Sequence, residues 1–237
     1  MKKLSFSHIT GVMLILAFLA ATIGQISIMR NFDWEGRPYS EILVMYHNSG
    51  TALQISWSIF ALGAFLMIPS ALLLHKIFHH KHTPFLYIGT TFGVIAGMAY
   101  IIGIMRWVLF ANMFSAMYVA QPTNENTEQM IELIFQAMNV YAGNSFGETI
   151  APIAHAIWLI ILGCAMFKKP ICGRWLAIAQ ILFGIVIAFR PLEYVGLKTL
   201  VLISDVGVLL WTVMLLVFGI LLLLAKEKMH VSEAQGA

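Results

Sequence analysis

Six side chains combine ionisable chemistry with positions inside or beside long apolar runs: Arg106, Glu148, His155, Arg190, Glu193 and Asp205. Such groups are costly to place in hydrocarbon, so each is a candidate for ligand binding or catalysis. Two guanidinium groups can grip an anionic group through charge-assisted hydrogen bonds while the carboxylates and the imidazole orient it. His155 could also serve as a general base. Metal binding is the other chemistry open to this set. Zinc takes three or four His, Cys, Asp or Glu ligands, and His155, Glu148, Asp205 and His47 carry suitable atoms. Their spacing matches no zinc motif, and the neighbouring arginines oppose a cation. Met45-Tyr46-His47 pairs a soft ligand with an imidazole, a weak copper pattern.

Each candidate also has a plain structural reading. Arg106 precedes Trp107, and such a pair at a span end is commonly an interfacial anchor. Ser145 could cap a helix with Glu148 as its N3 partner. Arg190 and Glu193 close a span where water can reach them. His155 and Asp205 lie deeper, and Asp205 requires a cation, which Arg106 or Arg190 would supply. The six share one level along the chain's apolar runs, and that coincidence carries more weight than any one of them. A second cluster, His75, His79, His80 and His82, alternates with Lys76 and Lys81 and reads as a basic helix end facing headgroups. There is no Gly-x-Ser-x-Gly and no phosphate-binding Walker loop. Only His155 lies well inside a span, so the facing histidines of a dihaem protein are missing. No cofactor is implied beyond the candidate metal ion.

The elements that must position these residues follow from composition. Of 237 residues, 60% are hydrophobic and 11% charged, with mean hydropathy +0.85. Soluble domains carry about 45–50% apolar and about 25% charged residues, so a soluble fold and a disordered chain are both excluded. A net charge of +3 with thinly spread basic residues argues against nucleic acid as a partner. Cys164 and Cys172 make neither a disulfide framework nor a zinc pattern. Six segments reach the roughly 20 apolar residues of a membrane span or come close to it: 9–28, 51–74, 85–110, 149–167, 175–189 and 200–225. The expected fold is an all-α, six-helix transmembrane bundle forming one membrane domain over residues 1–237. The short fifth span is flanked by Arg174 and Arg190, which can snorkel to the interfaces. Pro69 is expected to kink the second helix.

Lysine and arginine orient the bundle. With six spans, nine of the fourteen fall on the side of the termini, including Lys2, Lys3, Lys168, Lys169 and Lys226, and five on the other. The termini are therefore expected in the cytoplasm. Nine of the eleven acids fall on the opposite half. Lys2-Lys3 followed by an apolar run and Ala17-Phe18-Leu19-Ala20-Ala21 also reads as a cleavable leader. The run to Ile28 is long for one, which favours a retained first helix. Residues 30–50 and 111–148 form the extracytoplasmic connections. The second contains an amphipathic helix with Glu128, Glu132, Gln136 and Asn139 on one face and Ile131, Ile134, Phe135 and Met138 on another. Asn126 is its expected cap, and the helix is expected to lie flat on the outer surface.

From Arg106-Trp107-Val108 onward an ordered series appears: Tyr118, an acidic loop, Phe135, Tyr141-Ala142-Gly143, Gly147-Glu148, Trp158, Pro170 and Arg174-Trp175-Leu176. This series resembles a bacterial family of six-helix membrane proteins known only as a domain of unknown function, numbered in the four-thousands. The resemblance covers most of the chain and is strongest from about Ile101 to Ala188. It implies six spans in a bacterial inner membrane and no particular reaction. The resemblance implies that many relatives carry a histidine directly after the Gly-Glu pair, where this chain has Thr149.

The residues together predict an outward-facing polar pocket among helices three to six that binds a small polar or lipidic ligand, in a sensor or accessory role. The bilayer is one partner, and a homo-oligomer or a larger membrane complex another. The alternatives are a membrane-embedded metal-dependent enzyme using the same pocket, a structural subunit, and a transporter. No internal repeat supports the last.

Overall fold

The computed structural model describes residues 6–120 and 125–225, and the described residues contain no β-strand. Lys2, Lys3 and the basic residues after Ala225, on which the leader and part of the orientation reading rest, lie outside them. Among the described residues, six helices are long and apolar enough to cross a membrane: α1 Phe6–Asn31, α2 Tyr39–Phe78, α3 Leu86–Ala120, α4 Glu125–Lys168, α5 Arg174–Val195 and α6 Lys198–Leu224. Each expected span falls on one of them. Leu16, Ile23, Ile55, Phe65, Leu182 and Leu210 are exposed on the outside of the bundle. An apolar outer wall suits hydrocarbon as solvent, because each helix satisfies its backbone internally. The protein is an all-helical, multi-span membrane protein.

The six helices form a closed ring. Each packs against its neighbour in sequence, and α6 returns to pack against α1, while contacts across the ring are few. The described chain ends, Phe6 and Ala225, lie at one end, called proximal here; the other end is distal.

Three helices overrun the membrane thickness. α2, α3 and α4 contain 40, 35 and 44 residues, about 60, 52 and 66 Å at 1.5 Å per residue, against a hydrocarbon core of about 30 Å. The excess is at the distal end, where it builds a second hydrophobic core. Ile28, Phe32, Leu43, Tyr46, Trp107 and Phe135 are buried there, separately from the core around Phe78, Trp158, Leu159 and Phe218.

Three expectations change. Residues 39–49, read as connection, are a helical arm of α2. The arm joins the span at Gly50, whose φ of 60° and ψ of −155° break the helix. Glycine takes that left-handed φ without steric penalty. Pro69 lies in the same helix without non-helical backbone angles, so the break is at Gly50 and not at the proline. The amphipathic segment does not lie flat as a separate helix. It is the first third of α4, with Asn126 inside its first turn and not at its cap. Ile131 and Phe135 are buried, with Phe135 edge-on to Tyr39, Trp107 and Phe114 at 5.7, 6.0 and 6.2 Å.

At the proximal end the histidine cluster is occupied with structure. His75 Nδ1 lies 2.8 Å from Thr90 Oγ1, and the His75 and His79 rings stack at 5.2 Å. Lys169 Nζ donates to the Ile77 carbonyl over 2.7 Å, tying the α4–α5 turn to α2.

Candidate functional site

Two neighbouring helices change register at the same level. α3 becomes π-helical over Arg106–Ala111, and α4 is π-helical over Asn139–Ile150. Such stretches are rare and are frequent at functional sites, because the extra residue per turn re-aims side chains. In α4 the hydroxyls follow the wider turn. Ser145 donates to Val140 O over 3.2 Å and Thr149 to Asn144 O over 2.7 Å, both five residues back. In α3 the displaced carbonyls are met by α2, where Tyr46 Oη donates to Trp107 O and Gln54 Nε2 to Val108 O over 3.2 Å.

Arg106 opens the α3 stretch. Its Nη1 donates to Gly103 O over 2.8 Å, and Nη2 stands 3.8 Å from Glu148 Oε1. The guanidinium lies against Gly143 of the facing π stretch, where any Cβ would overlap it. Glu148 has a second arginine at its other oxygen, Arg190 Nη2 at 3.7 Å. Arg190 begins the 3-10 turn Arg190–Val195 that closes α5. It also pairs with Glu193, three residues on, and its Nε lies 3.4 Å from Asp205 Oδ1 in α6. One network therefore joins Arg106, Glu148, Arg190, Glu193 and Asp205 across α3, α4, α5 and α6. Two guanidinium charges meet three carboxylates, and the sum is −1.

Two of the three structural readings of this region fail. Arg106 has a side-chain exposure of only 12%, and Trp107 is buried in the distal core, so the pair is no interfacial anchor. Ser145 and Glu148 lie inside a continuous helix, so they form no capping box.

A cavity of about 340 Å³ occupies the ring below this network. All six helices line it, not only α3 to α6. Of the candidates, Arg106, Glu148, His155 and Arg190 border it; Glu193 and Asp205 do not, and they meet Arg190 at exposed positions. On α2 the lining runs from Trp57 to Ser70, about 20 Å at 1.5 Å per residue. The chamber is thus long and narrow. Most of its wall is apolar or aromatic, and Trp34, Trp57, Trp107, Trp158 and Trp211 contribute five of the six tryptophans of the chain.

His155 stands deeper than the arginine network and is buried. Its Nδ1 is 3.3 Å from Tyr100 Oη, and its ring packs edge-on to Trp211 at 4.2 Å. Trp211 Nε1 in turn donates to Gln180 Oε1 over 3.3 Å. Three buried polar atoms on cavity-lining residues have no hydrogen-bond partner among the described residues: His155 Nε2, Trp57 Nε1 and Arg106 Nε. Each of these atoms is closed to solvent, and burying a polar group unpaired is costly.

The metal candidates do not converge. Among the described residues no three His, Cys, Asp or Glu side chains form a group able to hold an ion. Glu148 and Asp205 face arginines, His155 faces tyrosine and tryptophan, and His47 is exposed on the distal arm of α2.

The cavity tryptophans and Tyr100 were not among the sequence candidates. A signal existed: Trp57, Trp158 and Trp211 sit inside apolar runs, whereas membrane tryptophans favour the interfaces. No curated protein and no solved structure matches the chain. The family model described as "Domain of unknown function (DUF4386)" matches residues 9–225, which contain every residue of the network and cavity, and the chain belongs to that family.

Proposed function

We propose that the protein binds a chain-like amphipathic ligand in the cavity enclosed by its six helices, with the ligand's apolar part among the tryptophans and its polar end at the Arg106–Glu148–Arg190 level. The observation that carries this reading is the shape and polarity of the chamber: about 340 Å³ drawn out over about 20 Å, apolar along its length and charged at one end. Ligand sites are typically concave and apolar with a few convergent polar groups that fix orientation. A membrane protein with such a chamber draws its ligand from a lipid environment, which suits a sensor or an accessory protein that presents or sequesters a lipid. We assign the distal end to the extracytoplasmic side, because the basic residues concentrate at the proximal end.

The test is lipid content. Protein purified in mild detergent is extracted and the released lipid measured by mass spectrometry against protein amount. Wild type is expected to retain about one molecule per chain, and Ala17→Leu/Ala64→Leu, which adds bulk at two lining positions, to retain much less at unchanged melting temperature. Equal retention by both proteins would remove the cavity as the binding site.

A further inference from the structure

A second concavity lies on the outer wall, where the proximal ends of α2 and α3 meet. It is a groove of about 630 Å³ bordered by Pro69, Leu72, Leu73, His75 and Lys76 of α2 and by Tyr87 and Thr90 of α3. Leu72, Lys76 and Tyr87 are exposed, so the groove opens to the surroundings of the protein. His75 Nδ1 and Thr90 Oγ1, 2.8 Å apart, tie its two walls and set a common level. The helices run in opposite directions, so Lys76 lies about 1.5 Å and Tyr87 about 4.5 Å to the proximal side of that bond. Leu73, Leu72 and Pro69 lie about 3 to 9 Å to its distal side. Polarity is therefore graded along the groove. A cation and a phenol stand at the helix ends, and apolar side chains continue towards the middle of the span.

The cation is unmatched. Lys76 Nζ stands 4.6 Å from the centre of the Phe6 ring. Every described Asp and Glu lies in the distal half of the molecule, so no carboxylate among the described residues faces it. Tyr87, 62% exposed, places its ring at the depth where aromatic side chains meet head groups.

The geometry points to a site for one anionic phospholipid of the proximal leaflet, its phosphodiester at Lys76 and an acyl chain along Leu73, Leu72 and Pro69. The gradient of the groove has the lipid's own order from head to chain. A zwitterionic head would bring an ammonium group towards Lys76 with no carboxylate to receive it. A soluble phosphate would leave the apolar stretch uncovered. Basic pockets between spans are suited to anionic head groups, and the long stem of Lys76 can rest on apolar surface while its ammonium group follows the phosphate. The groove shares no lining residue with the enclosed chamber. Being open along its length, it exchanges its lipid with detergent, so the test adds the lipid back.

Delipidated protein in detergent is titrated with dioleoyl phosphatidylglycerol or dioleoyl phosphatidylcholine, and native mass spectrometry reads the first binding event. The anionic lipid is expected to bind about fivefold more tightly, the worth of one basic residue at a membrane surface. Lys76→Gln should abolish that advantage. Lys81→Gln removes the same charge from an exposed turn outside the groove and should leave the advantage within about twofold of wild type. Equal binding of the two lipids by wild type, or an equal loss from both variants, would overturn the site in favour of diffuse attraction. Ala17→Leu/Ala64→Leu should bind the anionic lipid as wild type does; loss there would move the lipid to the chamber and overturn the groove. Millimolar glycerol 3-phosphate should not displace the lipid, and displacement would make a soluble phosphate the occupant. The comparison of the two lipids and the competition use wild-type protein, so they stand even if Lys76→Gln fails to fold.

Discussion

Glu148 is the charge on which Arg106 depends, and Glu148→Gln isolates that dependence. The substitution keeps size and shape and removes the carboxylate 3.8 Å from Arg106 and 3.7 Å from Arg190. Arg190 keeps Glu193 and Asp205; Arg106 has no other carboxylate partner among the described residues. At 3.8 Å the attraction is about 4 kcal/mol for an effective dielectric of 20 and about 1 kcal/mol for water. Side-chain exposures of 12% for Arg106 and 30% for Glu148 place the pair between these limits. The distance exceeds a hydrogen bond, so the loss is almost purely electrostatic. A destabilisation of about 2 kcal/mol follows, well above the roughly 0.2–1 kcal/mol of an exposed pair. In a chain of this length that lowers the melting temperature by about 4–8 °C. The assay is thermal unfolding of detergent-purified protein by tryptophan fluorescence, run as a double-mutant cycle with Arg106→Gln. The double variant should recover part of the loss, giving a coupling near 2 kcal/mol. A coupling below about 0.5 kcal/mol, or a larger loss from Glu193→Gln at its 46% exposed position, would refute Glu148 as the hub.

Other expectations follow from single contacts. Gly143→Ala places a methyl group inside the Arg106 guanidinium, so the two helices must part or the arginine move; about 1–3 kcal/mol is expected in unfolding, and an unchanged melting curve would show that Arg106 does not occupy this bed. Tyr46→Phe removes the donor to the Trp107 carbonyl in the α3 π stretch and should cost about 1–3 kcal/mol by leaving that carbonyl unpaired. Hydrogen exchange should then quicken in residues 106–111, and unchanged exchange there would separate the bond from the π register. Cys172, in the turn between α4 and α5, has its thiol pushed up to about 11 by burial. Maleimide labelling of the folded protein at pH 7.5 should therefore be slow and should accelerate only as pH approaches that value, because the thiolate is the nucleophile. The same shift fixes a sign. The unfolded thiol, with an ordinary value of 9.0, loses its proton first, so folded stability is full below pH 9 and declines as pH rises towards 11. Rapid labelling at neutral pH would refute the burial.

The six spans could be read from sequence because hydropathy over about 20 residues reports what the bilayer demands. Of the distal extensions, only the helix beginning near residue 125 could, from its amphipathic period. Residues 39–49 and 112–120 mix polar and apolar side chains, and what they pack against is met only in three dimensions: Tyr39 and Phe114 both contact Phe135. The break in α2 was misplaced for a related reason. Proline advertises a kink in any sequence, yet a membrane helix can absorb one, whereas the left-handed φ at Gly50 depends on where the distal arm must go. The common level of Arg106, Glu148, Arg190, Glu193 and Asp205 was visible by counting residues along spans. Which acid serves which arginine was not, since a π stretch shifts everything beyond it relative to an α-helical count. A polar pocket among helices three to six was expected; the apolar wall of the chamber and the share of the first two helices in it were not legible, because its lining comes from six separate helices.

The π stretches link the two halves of the molecule. Widening a helical turn leaves carbonyls that must find donors elsewhere. In α3 those donors come from Tyr46, on the distal arm of α2, and from Gln54, at the distal end of its span. The arm is held in turn by burial of Tyr46, Ile42 and Leu43 against Phe32, Trp107 and Phe135. The register that directs Arg106 towards Gly143 and Glu148 therefore depends on a core outside the membrane span. If that core loosens, the carbonyls of Trp107 and Val108 lose their partners, and the segment gains by returning to α-helical spacing. Arg106 would then swing away from both Glu148 and the cavity. Arg106 and the distal core would change state together, coupled through the backbone of α3. This coupling gives the distal extensions a role that span length alone does not explain: they hold Arg106 in the register that sets it against Gly143 and towards Glu148.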